Sequence, residues 1–218
     1  MAKIFLTRFV FNMKVQNSFN LYCYNNQPIT LAEPMFKGGK SIETITHYNL
    51  GMMPNGFIGK VKVLKANNEV AFLNVFKHAS DLSEIYKLKD GLDRVIGQIE
   101  FKPRKYMSYD DYGNLQDSSH IFVDELRNFS RKGTPYYVDG LDEYKQVGVR
   151  LMQIAQRRSD ECGLNGNIEL ISKNESKDVF YEKLGFKQYP FLSPYVNPNK
   201  MYLPAEAKEP FSKMYGGL

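Results

Sequence analysis

The sequence predicts a mixed α/β sheet in one domain, and three features point there. β-rich runs follow one another between Phe57 and Phe101, with turn residues between them. From Val147 the apolar spacing becomes helical. Strand-like runs stand on both sides of that helix, and a strand–helix–strand crossover calls for a parallel pair.

Taken in order, the first 30 residues alternate apolar and polar in patches (Ile4, Leu6, Phe9, Phe11) and read as strand. Residues 25–41 hold Pro28, Pro34 and Gly38-Gly39, which is loop chemistry. Residues 42–53 suit a short helix. Phe57 to Leu64, Val70 to Phe76 and Glu84 to Leu88 are strands, separated by Asn67-Asn68 and by the polar stretch at Ser80-Asp81. Val95 to Phe101 is a further strand, closed by Pro103. This series fits an antiparallel meander.

Residues 103–119 are rich in Tyr, Asp and Ser and read as a long loop. His120 to Leu126 is a strand. Gly133, Pro135 and Gly140 mark a second loop. Val147, Leu151, Ile154 and Ala155 share a helix face, and Gly163 is placed to stop that helix. Asn167 to Ser172 is a short strand. Glu175 to Leu184 is a short helix, with Asn174 as N-cap and Gly185 at C′. Lys200 to Leu203 is a last strand, and the tail from Glu206 shows little to pack. The expected division is one domain over 1–204 and a tail over 205–218.

Composition supports an ordered globular chain. Of 218 residues, 43% are apolar and 24% charged. No apolar run is long enough for a transmembrane helix, so no membrane partner is expected. Cys23 and Cys162 cannot build a disulfide scaffold, which points to a reduced, cytoplasmic protein. The net charge of +5 is uneven. Residues 127–158 hold seven Lys or Arg against three acids.

Two motifs fail on inspection. Gly39-Lys40-Ser41 ends like a phosphate-binding loop, but Pro34 stands where that pattern needs its first glycine. His47, His78 and His120 have no partners at ligand spacing, so no metal is expected. The segment Glu143 to Leu151 carries more. It opens a helix whose first-turn N–H groups lack intrahelical acceptors, and Gly148 permits close backbone approach. Such a helix end suits a phosphate group, and Lys145 and Arg150 add charge.

The segment Asn174 to Phe186 ends in Phe180-Tyr181-Glu182-Lys183-Leu184-Gly185-Phe186. That string strongly resembles the closing motif of the GNAT superfamily, the acetyl-CoA-dependent N-acetyltransferases. The order of elements from His120 to Phe186 fits the same family, and the best match spans 94–203. Residues 1–90 fit only in being strand-rich. The resemblance implies a GNAT-like fold with a splayed parallel pair of central strands. It also implies acetyl-CoA as co-substrate. Gln146, Val147, Gly148, Val149 and Arg150 would donate backbone N–H groups to the pyrophosphate. Leu126 and Asn128, at the end of the splayed strand, would pair with the pantetheine arm. Asn174 would contact the same arm. The pyrophosphate motif is degenerate, with Glu143 and Gln146 where the family has Gln or Arg and Gly.

The implied reaction is acyl transfer from acetyl-CoA to a primary amine through a ternary complex. Tyr181 is the candidate acid for the departing thiolate. The family's histone-type branch carries a base at the position of Phe122, so that Glu is absent. Asp124 and Glu125 are the nearby candidates, expected on opposite strand faces. Tyrosines and acids in 103–119 (Tyr106, Tyr109, Asp110, Asp111, Tyr112, Asp117) are expected to line the acceptor side. The acceptor is a small-molecule, peptide or protein amine, and the sequence does not choose. Nucleic acid is not the expected partner, because no recognition motif accompanies the basic stretch. The degenerate motif and missing Glu favour an alternative, a CoA-binding module with weak or no turnover.

Overall fold

Four hairpin-linked strands come first among the elements of the computed structural model, which describes residues 45, 49–105, 107–109, 113–173, 180–189 and 197–218. The readings of the first 30 residues, of the loop at 25–41, of Asn174 and of the first half of the short helix at 175–184 lie outside them. The meander runs β1 (Gly56–Lys65), β2 (Val70–Ala79), β3 (Glu84–Lys89) and β4 (Val95–Arg104), each antiparallel to the next. Next come β5 (Met107–Tyr109), β6 (Leu115–Asp117), β7 (His120–Asn128) and β8 (Tyr144–Lys145). Helix α1 (Val147–Glu161) leads to β9 (Ile168–Ile171). The chain closes with β10 (Lys187–Gln188), β11 (Lys200–Tyr202) and helix α2 (Ala205–Lys213).

Nine strands form one mixed sheet in the order β10-β11-β9-β7-β4-β3-β2-β1-β8. Among the described strands only β7 and β9 run parallel, and α1 is the crossover between them. That is the expected placement. A two-stranded hairpin, β5 with β6, stands where the sequence reads as a loop. Strand β4 does not stop at Pro103. Its pairing with β3 ends at Phe101, so Pro103 has a strand neighbour on one side only, Ile121 of β7. An edge position tolerates the missing N–H.

The core lies between the sheet and α1. Leu73, Val75, Tyr86, Leu88, Ile99 and Phe101 alternate inward, and Val147, Leu151, Ile154 and Ala155 meet them, all fully buried. Gly97 lets the helix sit close: a Cβ there would come within 2.5 Å of Val147 Cγ1. The helix ends as read, with Gly163 at φ +71° and its N–H on Asp160 O at 2.9 Å.

The tail is not loose. Phe211 of α2 is fully buried. Gln153 on α1 donates to Phe211 O and Met214 O, each at 3.0 Å, and Gln156 donates to Lys208 O at 2.8 Å. Three-residue spacing on α1 thus builds a polar strip that binds carbonyls of the C-terminal segment. No described helix is long and apolar enough to cross a membrane.

Candidate functional site

The parallel ladder is short. It pairs Ile121, Phe122 and Val123 with Ile168, Glu169 and Leu170, while β7 runs on to Asn128 and β9 ends at Ile171. The strands therefore pair at one end only. Just past the last parallel pair β7 bulges. Glu125 stands opposite Glu100 and Val123 opposite Phe101, leaving Asp124 as the extra residue. The bulge undoes the alternation that puts Asp124 and Glu125 on opposite faces. Asp124 reaches Lys102 at 3.0 Å, and Lys102 shares a face with Glu100, the partner of Glu125. Glu125 is paired to Arg127 at 2.6 Å.

Leu126 pairs with Ile99 and packs against the core. Asn128 shapes the loop that follows it. Its side-chain oxygen accepts from Ser130 N and Oγ at 3.1 and 3.0 Å, and its carbonyl accepts from Thr134 Oγ1 at 3.1 Å. Those atoms are already engaged, which narrows what Asn128 can offer a ligand.

Gln146 caps α1 in the left-handed region at φ 69°, with no side-chain hydrogen bond to the helix, and the first turn holds no acidic residue. The N–H groups of Val147, Gly148 and Val149 belong to that open turn. Arg150 does not: its N–H donates to Gln146 O at 3.0 Å. Its side chain also departs from expectation. The guanidinium is 1% exposed and turns away from the helix start. It donates to Lys62 O at 2.8 Å and Tyr215 O at 2.9 Å, and also to Gly217 O. Arg150 fastens the C-terminus.

The other charges of 127–158 are largely structural too. Arg158 is buried against Glu84 at 2.7 Å and Glu161 at 2.9 Å. Arg157 donates to Ile45 O at 2.6 Å. Lys145, on the exposed side, is held by Asn68 at 2.8 Å. The excess does not gather at the helix start, as its position in the sequence suggested.

The closing motif packs directly on that helix start. A Cβ on Gly148 would lie 2.9 Å from Phe180 Cζ, so this glycine makes room for a ring of its own chain. Tyr181 follows, 8% exposed, edge-on to Phe180 at 5.0 Å and to Phe186 at 5.8 Å. Gly185 takes φ +91° at the end of the turn, as expected of a C′ glycine. Burial pushes the Tyr181 phenol up to about 12, and the phenol of Tyr136 adds to the rise. Tyr181 therefore holds its proton throughout the neutral range.

Tyr136 is the residue that sequence reasoning missed. It lies in the loop after β7. The Arg127 guanidinium is 5.3 Å from its ring, and Lys173 Nζ lies 3.5 Å from its hydroxyl. Through it, Arg127 at the end of β7 and Lys173 just past β9 meet one phenol. Nothing in the pattern of a Gly- and Pro-containing loop singles out Tyr136. Of the acceptor-side group, Asp117 accepts from Ser119 N at 2.8 Å and so forms a turn. Tyr106, Asp110, Asp111 and Tyr112 lie outside the described residues. Among the described residues no three His, Cys, Asp or Glu side chains gather as metal ligands.

No family model and no curated protein matches this chain. Solved structures similar over part of it include the following two. One is a KacTA–DNA complex, at 19% identity and TM-score 0.42, covering 61% of this chain and 74% of that one. The other is a tyrosine-to-phenylalanine mutant of the AtaT toxin, at 16% and 0.38, covering 58% and 69%. Two expectations are corrected accordingly. The motif at 174–186 led to the GNAT superfamily, but no family model matches, so the string does not make the chain a member. The exclusion of nucleic acid is not upheld either: KacTA, one of the solved structures similar to part of the chain, is in complex with DNA, which is a statement about that protein.

Proposed function

We propose that the chain is an acyltransferase that moves an acetyl group from acetyl-CoA to a primary amine, on a GNAT-like layout. The observation that carries this reading is the contact of Phe180 with Gly148. It brings the tyrosine-bearing motif onto an open helix start, beside parallel strands that pair at one end only. These are parts that binding and proton transfer need together.

Acetyl-CoA supplies the acyl group as a thioester, activated toward an amine. The first turn of α1 fits its pyrophosphate: it has orphan N–H donors, no side-chain cap and no acid. Val147, Gly148 and Val149 are the proposed donors, with Gln146 at the cap, and Arg150 contributes packing. The stretch of β7 through Leu126 and Asn128, unpaired on its β9 side, is the proposed rest for the pantetheine arm. Tyr181, kept protonated by burial, gives a proton to the leaving sulfur. Glu125 or Asp124 takes the proton of the amine, directly or through water.

One observation favours a second reading, a CoA-binding module with little turnover. Both acids are engaged by cations, Glu125 by Arg127 and Asp124 by Lys102, which weakens either as a base. Thiol release from acetyl-CoA with a panel of amines separates the two. Turnover lost in Tyr181→Phe supports the enzyme. Binding without thiol release in the unaltered chain supports the module.

A further inference from the structure

The face of the sheet turned away from α1 has its own composition. Register sorts its residues across β1, β2 and β3. Lys62 stands opposite Phe72, and Lys60 opposite Asn74, which faces Lys89 in turn. Phe57 stands opposite Phe76, which faces Lys87. His78 stands opposite Ile85. The alternate residues Leu73, Val75, Tyr86 and Leu88 are buried beneath α1, so period two turns these others outward.

On these three strands the face carries four lysines and three phenylalanines and no carboxylate. Glu84, the acid within β3, points inward to Arg158. Asp93, in the turn after β3, pairs with Lys89 at 2.9 Å. Lys60, Lys62 and Lys87 make no ion pair among the described residues. Acids begin only on β4, where Glu100 accepts from Ser83 Oγ at 2.9 Å.

The aromatic groups are interleaved with the charge. Phe57 is 51% and Phe72 36% exposed. Phe57 and Phe76 meet edge-on at 5.8 Å, and Lys89 Nζ stands 4.4 Å from the centre of the Phe76 ring. A sheet with outward rings between four cations, three of them in no ion pair among the described residues, offers two things at once. The rings present flat apolar surface for stacking, and the ammonium groups present charge along the strands for a polyanion. A bilayer asks for something else, apolar side chains on a projecting edge or helix. Here they lie flat within the sheet.

We propose that this face binds single-stranded nucleic acid, its phosphates on Lys60, Lys62, Lys87 and Lys89 and its bases on Phe72 and Phe57. The surface is on the opposite side of the sheet from α1, so the inference does not depend on acyl transfer.

The test uses the full chain and fluorescence anisotropy with mixed-sequence RNA and DNA oligonucleotides of about 12 nucleotides. Binding of both is expected, with log K falling linearly in log salt at a slope of about −3, as four phosphate contacts require. A preference for RNA or for DNA identifies the source of the strand. Lys62→Gln with Lys87→Gln should lower affinity at least tenfold and flatten the slope by about 1.4. Phe72→Ala should lower it about tenfold with the slope unchanged. Lys213→Gln, on α2, should change neither, and circular dichroism checks that each variant is folded. No oligonucleotide binding at low salt overturns the proposal. So does binding that Phe72→Ala and the lysine pair leave intact, or binding only to phosphatidylserine vesicles.

Discussion

The ring of Phe180 occupies the space that a side chain at Gly148 would need, 2.9 Å from the position of a Cβ there. Two segments some thirty residues apart are thereby locked together, one opening α1 and one carrying Tyr181. Gly148→Ala should therefore push Phe180 outward. The expected cost is about 1 kcal/mol in urea denaturation, since overpacking is partly relieved by a ring that is not fully buried. Phe180→Leu in the same chain should restore most of it. On the proposed function, the single variant also loses acyl transfer, because Tyr181 moves with Phe180.

Tyr181 gives a pH signature. Its phenol titrates at about 12 in the folded chain against an ordinary value of 10. Burial favours the protonated form, so the contribution to stability is intact below about pH 10. It is lost as the pH rises toward 12, because the unfolded chain ionises first. Tyr181→Phe should remove this alkaline loss, on the order of 2 kcal/mol, in unfolding measured from pH 8 to 12. It should also lower thiol release about a hundredfold at neutral pH.

Arg150 is expected to act on stability. Its guanidinium is buried and serves the carbonyls of Lys62, Tyr215 and Gly217. Arg150→Ala leaves those acceptors without their donor and should cost about 2–4 kcal/mol. Removing residues 205–218 should cost at least as much, because Phe211 and the partners of Gln153 go with them. Thermal or urea unfolding reads both.

Glu84 sets an acid limb. Burial pushes its carboxyl up, but the hydrogen bonds and charge of Arg158 outweigh that, and the net shift is downward. Its stabilising contribution is present above the ordinary value of 4.5 and is lost as the pH falls through the folded value. Glu84→Gln should destabilise the chain at pH 7 and make its stability less pH-dependent below about pH 5, read by unfolding from pH 3 to 7.

Much of the fold was legible because its signals are local. Alternation marked β1 to β4, helical spacing marked α1, and Gly163 and Gly185 marked the ends they close. What escaped was set by distant partners. Strand β8 is two residues long and exists because Leu64 and Lys65 lie beside it. The tail reads as unpacked until Gln153 and Arg150 are seen beneath it. Around the proposed site, the pattern singled out the segment of Tyr181 and the helix start, which meet through Phe180 and Gly148. It misread Arg150, whose charge lies near that start in sequence while its side chain turns to the C-terminus. It missed the bulge at Asp124, which depends on register with β4, and Tyr136, which a loop brings in from outside any period.

The central claim is that the open turn of α1 and Tyr181 serve one acyl-CoA site. Calorimetry with acetyl-CoA, run on the unaltered chain and on Gly148→Ala and Tyr181→Phe, tests it most directly. Binding that is lost in Gly148→Ala and kept in Tyr181→Phe, together with thiol release that needs Tyr181, is the predicted result. Absence of heat up to millimolar acetyl-CoA in the unaltered chain would contradict it.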